Sequence, residues 1–269
     1  MNDPILLERD GALATLTLNR PQALNTLDHA MMRALVAHTS KLAADADLRC
    51  VVIKGSGRHF MAGGDLRTFA AELTSPPDVR QAFFTAMVDD LHVAIAQLRG
   101  LAAPVIASVQ GAVAGFGLSL VGACDLAIAA EDAYFASAYR NIGLTPDGGG
   151  SYTLPRLVGT KKAMEIFLLG GRFDAAEAQR IGLVNRVVPA AALEATTREL
   201  AAAILAGPAL ALGNVKGLVH AAWSRDLEGQ LRAEATSFGA CAASDDFSEG
   251  VEAFLAKRAP AFGRPRKDP

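Results

Sequence analysis

The chain has 269 residues, of which 51% are hydrophobic and 20% charged, with a formal net charge of -2 and a pI near 6.2. This composition predicts a sizeable core and excludes an intrinsically disordered chain. A nucleic-acid binder needs a basic face, so the weakly acidic balance argues against a polyanion as the main partner.

The N-terminus and the cysteines lead us to expect a soluble, cytoplasmic protein. The first residues, MNDPILLERDGALA, carry acids where a signal peptide needs cations. No apolar run reaches the roughly 18 residues of a membrane helix, so no membrane partner is expected. Cys50, Cys124 and Cys241 are far apart in sequence and have apolar neighbours. We therefore expect buried free thiols in a reducing compartment.

The first part of the chain alternates predicted strands and helices. Residues 12–21, ALATLTLNRP, are apolar at every second position and predict a strand that Pro21 ends. Asp28 then caps a predicted helix that reaches about Asp45. Further strands are predicted in RCVVIKGSG, PVIASVQG and DLAIAAE, and further helices after Asp65, after Ser75–Asp78 and at Gly115–Cys124. This alternation predicts βαβ units and a largely parallel sheet.

From Thr160 onward the pattern predicts helices, apart from the short extended piece VNRVVP. Thr160 is expected to cap the helix KKAMEIFLL, which Gly170 ends. Asp174 and Glu177 predict a capping box for the next helix. Four more helices are predicted at Ala190–Ala206, Pro208–Ala222, Leu227–Ala240 and Ser244–Ala256. We therefore divide the chain into an α/β core that carries the ligand site, residues 1–189, and a helical segment, residues 190–269.

Side chains that commonly bind metals or act as nucleophiles have the wrong spacing here. The five histidines are His29, His38, His59, His92 and His220. None pairs with another His or a Cys at ligand spacing, so no metal is expected, and His92 is expected to be a packed or surface residue within a helix. Ser119 lacks the glycine at position 121 that a nucleophile elbow needs.

Two glycine-rich segments predict a site for a developing negative charge. Residues 57–66, GRHFMAGGDL, and residues 111–120, GAVAGFGLSL, each follow a predicted strand and open a helix. The N–H groups at a helix start are unpaired and positively polarised. Two such turns that face each other would hold one oxygen between two N–H donors, which is an oxyanion hole. Because glycine is also common in purely structural turns, composition alone leaves that alternative open.

Six ordered motifs resemble the enoyl-CoA hydratase/isomerase (crotonase) family over essentially the full length of the chain. They are NRPQALN at Asn19–Asn25, FMAGGDL at Phe60–Leu66, PVIASVQGAVAGFG at Pro104–Gly117, CDLAIAAEDAYF at Cys124–Phe135, IGLTPDGGG at Ile142–Gly150 and EGVEAFLAKRAPAF at Glu249–Phe262. The Pro-Asp turn and the C-terminal motif are most similar to those of the phenylacetate-pathway isomerase of ring-epoxide thioesters. Dienoyl-CoA isomerases and the chlorobenzoyl-CoA dehalogenase also have an aspartate in that turn.

The resemblance implies an α/β fold of the crotonase type, a ClpP-like spiral of ββα units followed by C-terminal helices. It implies an acyl-CoA thioester as the small-molecule partner, with coenzyme A as part of the substrate and no separate cofactor. It also implies a homotrimer or a dimer of trimers, because the family packs its C-terminal helices between subunits. The helices after about Pro189 are rich in Ala and Leu, which agrees with such a contact.

The resemblance also assigns residues to the site. It places an enolate between the backbone amides of Gly64 and Phe116, and the Phe116 side chain, where the family usually has glycine, is expected to point into the acyl pocket. The residues expected around the thioester and coenzyme A are Arg20, Ala23, Leu24, Ala62, Gly63, Asp65, Leu66, Gly115, Tyr139, Lys257 and Phe262. Arg20, Arg67, Lys257 and Arg258 are candidates for phosphate contacts, and a solvated surface charge is the alternative for each of them. Lys257 and Phe262 are expected to cover the adenine end.

Asp147 is the candidate catalytic acid. The two glutamates of the family's hydratases are matched here by Ser119 and Tyr139, whose hydroxyl pKa values are too high for deprotonating water near neutral pH. The glycines after Asp147 are expected to let the backbone approach the ligand, and an apolar surround would raise the pKa of the carboxyl. One carboxylate can move a proton between two carbons, which predicts isomerisation by a double-bond shift or ring-epoxide opening of an enoyl- or aryl-acyl-CoA.

Alternatives remain open for these residues. Asp147 is also consistent with a capped turn, and Tyr139, expected near Phe116 and Phe135, either lines an aryl-sized pocket or packs in the core. The protein could be a hydratase that uses Asp147 with a partner elsewhere, and a second acid or a histidine near Asp147 would favour that. It could also be a non-catalytic acyl-CoA-binding member of the family, or an RNA binder, which the net charge disfavours.

Overall fold

The computed structural model describes residues 3–263 of the chain, which contain nine strands and eleven α-helices. The strands are Ile5–Asp10 (β1), Leu13–Leu18 (β2), Cys50–Gly55 (β3), Val105–Val109 (β4), Ala112–Ala114 (β5), Leu126–Ala130 (β6), Tyr134–Ala136 (β7), Phe173–Asp174 (β8) and Arg186–Val188 (β9). The helices are His29–Ala43 (α1), Leu66–Ala71 (α2), Pro77–Gly100 (α3), Phe116–Ala123 (α4), Gly150–Val158 (α5), Thr160–Leu169 (α6), Ala175–Arg180 (α7), Leu193–Leu205 (α8), Ala209–Ala221 (α9), Leu227–Ala242 (α10) and Asp245–Leu255 (α11).

The strands form two sheets. The larger sheet has the order β1-β2-β3-β4-β6-β9, and all its pairings are parallel except that of β1 with β2. A small sheet has the order β5-β7-β8. The predicted α/β alternation and the largely parallel sheet are therefore confirmed. The sequence does not predict β1, which has six residues, or the small sheet, whose strands have two or three residues.

The larger sheet is covered on both faces, as a mostly parallel sheet requires. In β2 the alternating residues Ala14, Leu16 and Leu18 are fully buried, as predicted. On the opposite face, Ala201 of α8 packs in a cluster with Cys50, Val52 and Ile106 of β3 and β4. The first helix after position 189 is thus a wall of the sheet's core. No described residue after Val188 belongs to a strand, and the division at 189/190 stays a prediction.

Most of the predicted helix ends agree with the structure. Asp28 caps α1 by accepting the Met31 N–H at 2.8 Å, and Gly170 ends α6 in the left-handed conformation. The predicted cap at Thr160 is wrong: Thr160 is the first residue of α6, and Gly159, at φ +80°, both ends α5 and precedes α6.

Half of the predicted capping box is present at α7. The Asp174 side chain accepts the Glu177 N–H at 2.8 Å. The Glu177 carboxylate pairs instead with Lys162 at 3.0 Å and with Arg180 at 2.6 Å. The Lys162 pair links α7 to α6 and the Arg180 pair lies within α7, so charge pairing outcompetes the reciprocal cap that the sequence suggested.

The three cysteines are free, but only Cys50 is fully buried, while Cys124 and Cys241 are half-buried. Burial raises the pKa of the Cys50 thiol to about 12, which keeps it unreactive.

Within residues 3–263 no single helix is long and apolar enough to cross a membrane. Only the bent pair Ala190–Leu205 and Ala209–Ser224, joined at 105°, meets the length and composition criteria together.

Asn25 fixes the loop that carries the NRPQALN motif. Its side chain is fully buried, accepts the Arg20 N–H at 2.8 Å, and donates to the carbonyls of Ser56 at 3.0 Å and His59 at 2.7 Å. Its φ of +54° is a left-handed conformation that asparagine tolerates better than most residues. The next loop is attached here too, because the Ala62 N–H donates to the Leu24 carbonyl at 3.1 Å.

We predict that Asn25→Ala destabilises the protein by about 3 kcal/mol, because it leaves one N–H and two carbonyls without partners. Urea denaturation gives the free energy of unfolding. The control is Gln22→Ala at an exposed position of the same loop, which should stay within about 0.5 kcal/mol of wild type. Equal stabilities of the two variants would show that Asn25 does not hold the loop.

Candidate active site

A cleft of about 390 Å³ lies between the AGGD turn, helix α3 and the turn that precedes α5. Its lining includes eight of the residues singled out from the sequence: Ala62, Gly63, Gly64, Leu66, Gly115, Phe116, Tyr139 and Asp147. The two glycine-rich segments and the Pro-Asp turn, far apart in sequence, therefore meet at one site.

The two glycine-rich turns lie in close contact. A Cβ on Gly115 would be 3.2 Å from the Gly63 Cα, and the Ala114 N–H donates to the Met61 carbonyl at 2.8 Å. Phe116 is the first residue of α4, where an N–H has no acceptor within the helix. Among residues 3–263, neither the Phe116 N–H nor the Gly64 N–H donates to a protein acceptor. Two free donors on adjacent turns are what an oxyanion hole requires, and that role stays a prediction.

Asp147 is a half-buried carboxylate that lines the cleft without an ion-pair partner among the described residues. Its Oδ1 accepts the Tyr139 hydroxyl at 2.6 Å, and the Tyr139 oxygen lies 3.3 Å from the Ser119 hydroxyl. Burial raises the pKa of Asp147, while the Tyr139 hydrogen bond and nearby His92 act in the opposite direction. Burial, followed by the Asp147 charge, raises the pKa of Tyr139 well above its usual range, so the tyrosine keeps its proton.

The glycines after Asp147 pack against helix α4. A Cβ on Gly148 would be 2.7 Å from the Phe116 ring and 3.0 Å from the Ser119 Cβ, and a Cβ on Gly150 would be 2.5 Å from the Ser119 hydroxyl. These glycines thus let the turn approach α4, whereas we had expected an approach to the ligand. The Phe116 ring is only 1% exposed and packs against Gly148, so it borders the cleft more than it fills it.

The sequence model of the enoyl-CoA hydratase/isomerase family matches residues 8–265. The chain belongs to this family. It is 38% identical over 260 residues to a protein named probable enoyl-CoA hydratase from Mycobacterium bovis, across 97% of this chain and 98% of that protein. It is 36% identical over 266 residues to the 1,2-epoxyphenylacetyl-CoA isomerase of Escherichia coli, across 97% and 99%.

Solved structures show the same fold. The crystal structure of an enoyl-CoA hydratase from a Polaromonas species superimposes with a TM-score of 0.89 at 34% identity, covering 96% of this chain and 99% of that one. An enoyl-CoA hydratase from Mycobacterium smegmatis gives a TM-score of 0.88 at 36% identity, covering 98% and 100%. The predicted crotonase fold is therefore confirmed.

His92 is a site residue that the sequence analysis did not identify. It lies on α3, lines the cleft, and accepts the Gly148 N–H on Nε2 at 3.1 Å. This contact joins residues 56 apart in the chain, and no local pattern around His92 pointed to it. A histidine beside Asp147 is the feature that we expected to favour hydration, so its geometry matters for the choice of reaction.

The apolar wall of the cleft comes from α2 and α3. Phe69 and Phe84 form an edge-to-face pair with ring centroids 5.1 Å apart, and Met87, Val88 and Leu91 continue the wall along α3. Phe135, which was expected near Tyr139, does not line the cleft. Phe135 is fully buried and stacks on Phe173, with centroids 5.5 Å apart, outside the cleft lining.

Four residues expected at the thioester or coenzyme A do not line the cleft: Arg20, Ala23, Leu24 and Asp65. The Arg20 guanidinium pairs with Asp28 at 2.9 Å and with Asp65 at 3.0 Å. Asp65 also caps α2 by accepting the Arg67 N–H at 3.1 Å. A phosphate contact by Arg20 would have to compete with two carboxylates, and the ligand roles of these four residues stay predictions.

The C-terminal candidates lie away from the cleft within one chain. Lys257 is exposed after the end of α11, and Phe262 packs near Gly250 of α11 in a groove formed by α9, α10 and α11. Neither lines the cleft. The Arg258 guanidinium pairs with Glu249 at 2.6 Å. Contacts of these residues with coenzyme A stay predictions.

Gly148 and Gly143 offer a matched test of the packing behind Asp147. Both have positive φ, +56° and +70°, but a Cβ would clash only at Gly148 and would meet open space at Gly143. Backbone strain is therefore similar in the two alanine variants, and overpacking against Phe116 affects only one. We predict that Gly148→Ala lowers the free energy of unfolding by about 1–3 kcal/mol more than Gly143→Ala, measured by thermal denaturation. Similar losses in both would contradict the close packing of the Asp147 turn on α4.

Proposed function

We propose that this chain is an acyl-CoA isomerase that uses Asp147 as its single proton-carrying group. The proposal rests on the interactions of the two carboxylates that line the cleft within residues 3–263, Asp28 and Asp147. Asp28 pairs with Arg20 and caps α1, so it is committed to structure. Asp147 forms no ion pair with another described residue, and burial raises its pKa, which suits a group that both takes and returns a proton.

The proton transfers balance with one carboxylate. Asp147 removes a proton from the carbon α to the thioester carbonyl, or from the γ carbon of an α,β-enoyl group. The electron pair of that C–H bond is then delocalised onto the carbonyl oxygen to form an enolate. The Gly64 and Phe116 N–H groups stabilise this oxyanion. Return of the proton from Asp147 to a different carbon shifts the double bond and restores the carboxylate. Ring-epoxide opening in an aryl-acyl-CoA would use the same stabilisation of the thioester oxygen.

The similarity to known proteins supports membership of the hydratase/isomerase family. The similar proteins include ones named for either activity, so their names do not decide between hydration and isomerisation. Ser119 and Tyr139 at the positions of the hydratase glutamates favour isomerisation. Neither hydroxyl can activate water, and the Tyr139 hydroxyl donates its hydrogen bond to Asp147.

Hydration by Asp147 and His92 is the second candidate, because His92 lies beside the Asp147 turn. A general base needs a free lone pair directed at water, and the Nε2 lone pair of His92 accepts the Gly148 N–H. His92 therefore anchors the turn in this structure.

A non-catalytic acyl-CoA-binding protein is the third candidate. The absence of both hydratase glutamates is consistent with such a protein.

Two isosteric variants separate these candidates. We predict that Asp147→Asn lowers the rate of isomerisation by about 10²–10⁴-fold while thioester affinity stays within about threefold. His92→Gln should keep the rate within about threefold, because a glutamine oxygen can still accept the Gly148 N–H. The measurements are steady-state rates on a panel of enoyl- and aryl-acyl-CoA thioesters, and binding by calorimetry. Asp147→Asn with more than half of the wild-type rate would remove Asp147 from the mechanism. A hydration rate that His92→Gln and Asp147→Asn lower equally would favour hydration.

We also propose that the chain assembles as a homotrimer or a dimer of trimers through its C-terminal helices. Phe238 on α10 and Phe254 and Leu255 on α11 are between 76% and 83% exposed in the single chain. Apolar burial contributes roughly 25 cal/mol per Å², so such side chains favour a partner surface. Cytoplasmic location, and the absence of a nucleic-acid partner and of a cofactor, stay predictions of the sequence.

Light scattering should therefore give a mass of three or six subunits for the intact chain. Removal of residues 249–269 should reduce both assembly and coenzyme A affinity, because the last helix is expected to serve both. A mass of one subunit at micromolar concentration would contradict the assembly. A truncated chain that stays trimeric would limit the last helix to a ligand role.

A further inference from the structure

A chain of two hydrogen bonds connects helix α4 to the reactive carboxylate. The Ser119 hydroxyl lies 3.3 Å from the Tyr139 oxygen, and the Tyr139 hydroxyl donates to Asp147 Oδ1 at 2.6 Å. Because the Tyr139 hydroxyl donates its only hydrogen to Asp147, the Ser119 hydroxyl is the donor in the Ser119–Tyr139 bond. Ser119 and Tyr139 are both buried, at 2% and 7% exposure. The Asp147 Oδ2 accepts no hydrogen bond from any other described residue.

We propose that Tyr139 is a positioning residue for Asp147, holding Oδ1 in place so that Oδ2 alone carries the transferred proton. This role differs from the thioester contact expected from the sequence. The part of this proposal that concerns turnover rests on the isomerase function proposed above. The effect of Tyr139 on the Asp147 carboxylate does not depend on turnover.

The backbone around Tyr139 is built to hold the ring in one place. Ala138, with φ +61°, turns the chain after β7, and the Tyr139 N–H then donates to the Ser137 carbonyl at 2.8 Å. The Leu144 N–H returns to the Tyr139 carbonyl at 3.1 Å. A left-handed alanine is uncommon, and the surrounding structure has to impose it. The hydroxyl therefore approaches the carboxylate from a fixed direction.

The Tyr139 hydrogen bond also affects the pKa of Asp147. An O–H···O⁻ bond of 2.6 Å is in the range of charge-assisted bonds, which favour the ionised acceptor. Burial alone would leave Asp147 protonated to a higher pH and less available as a base, and the Tyr139 bond opposes this. The other titratable side chains that line the cleft are Asp28, His29 and His92, and none of them donates to Oδ1.

The test compares Tyr139→Phe with the matched control Tyr152→Phe, whose tyrosine is 42% exposed and makes no hydroxyl hydrogen bond to a described residue. The titration of Asp147 is followed by carbon-13 NMR of protein labelled at aspartate, with Asp147→Asn used for assignment. We expect Tyr139→Phe to raise the midpoint by about 1–2 pH units, and the control to leave it unchanged. The acidic limb of kcat/KM should move to higher pH by the same amount, because activity is lost as Asp147 is protonated, and KM should stay within about twofold.

An unchanged or lowered midpoint in Tyr139→Phe would overturn the proposal, as would a raised KM with an unmoved acidic limb, which would return Tyr139 to substrate contact. If Tyr139→Phe does not fold, Ser119→Ala decides, since loss of its donated bond weakens the Tyr139 donor. That variant should give a smaller rise, and no rise would overturn the proposal. A raised midpoint in a protein that turns over no thioester would support the effect on the carboxylate and contradict the isomerase function.

Discussion

The site depends on a half-buried carboxylate, Asp147, that forms no ion pair with the residues described in the structure. Desolvation of Asp147 disfavours its charged form, and an arginine or lysine partner would restore that form but would also reduce its basicity. The structure supplies a neutral donor instead, the Tyr139 hydroxyl, whose pKa is raised so far that its proton is not lost to the carboxylate. Asp147 is thereby stabilised without an ion pair among the described residues, and none of the other described residues donates a hydrogen bond to its second oxygen.

The fold places the remaining parts of the site around that carboxylate by close backbone packing. Gly63 and Gly115 bring two turns into contact, which sets the Gly64 and Phe116 N–H groups on neighbouring segments. Gly148 brings the Asp147 turn against Phe116 and Ser119, and His92 holds that turn from α3. Each of these approaches needs a missing side chain or a left-handed φ, and this explains the concentration of glycine at the cleft.

The sequence predicted the features that depend on local pattern. The period of two in β2, the Asp28 cap of α1 and the strand–helix alternation follow from near neighbours, and the structure confirms them. It did not predict contacts that only packing creates. His92 meets Gly148 across 56 residues, and the Phe69–Phe84 pair forms where α2 packs on α3. The ion pairs of the Arg20 guanidinium with Asp28 and Asp65, which folding brings to it, were likewise not predicted.

The central claim is that one carboxylate moves a proton between carbons and that no water is activated. Mass spectrometry of the product formed from an enoyl-CoA thioester by the wild-type protein in deuterated water tests it most directly. The account predicts a product isomeric with the substrate. At the carbon that receives the proton, part of the product should carry the substrate's own hydrogen and not deuterium from the solvent, because Asp147 returns the proton that it removed. A product heavier by one water molecule, formed at rates typical of enzymes, about 10 s⁻¹ or above, would contradict it.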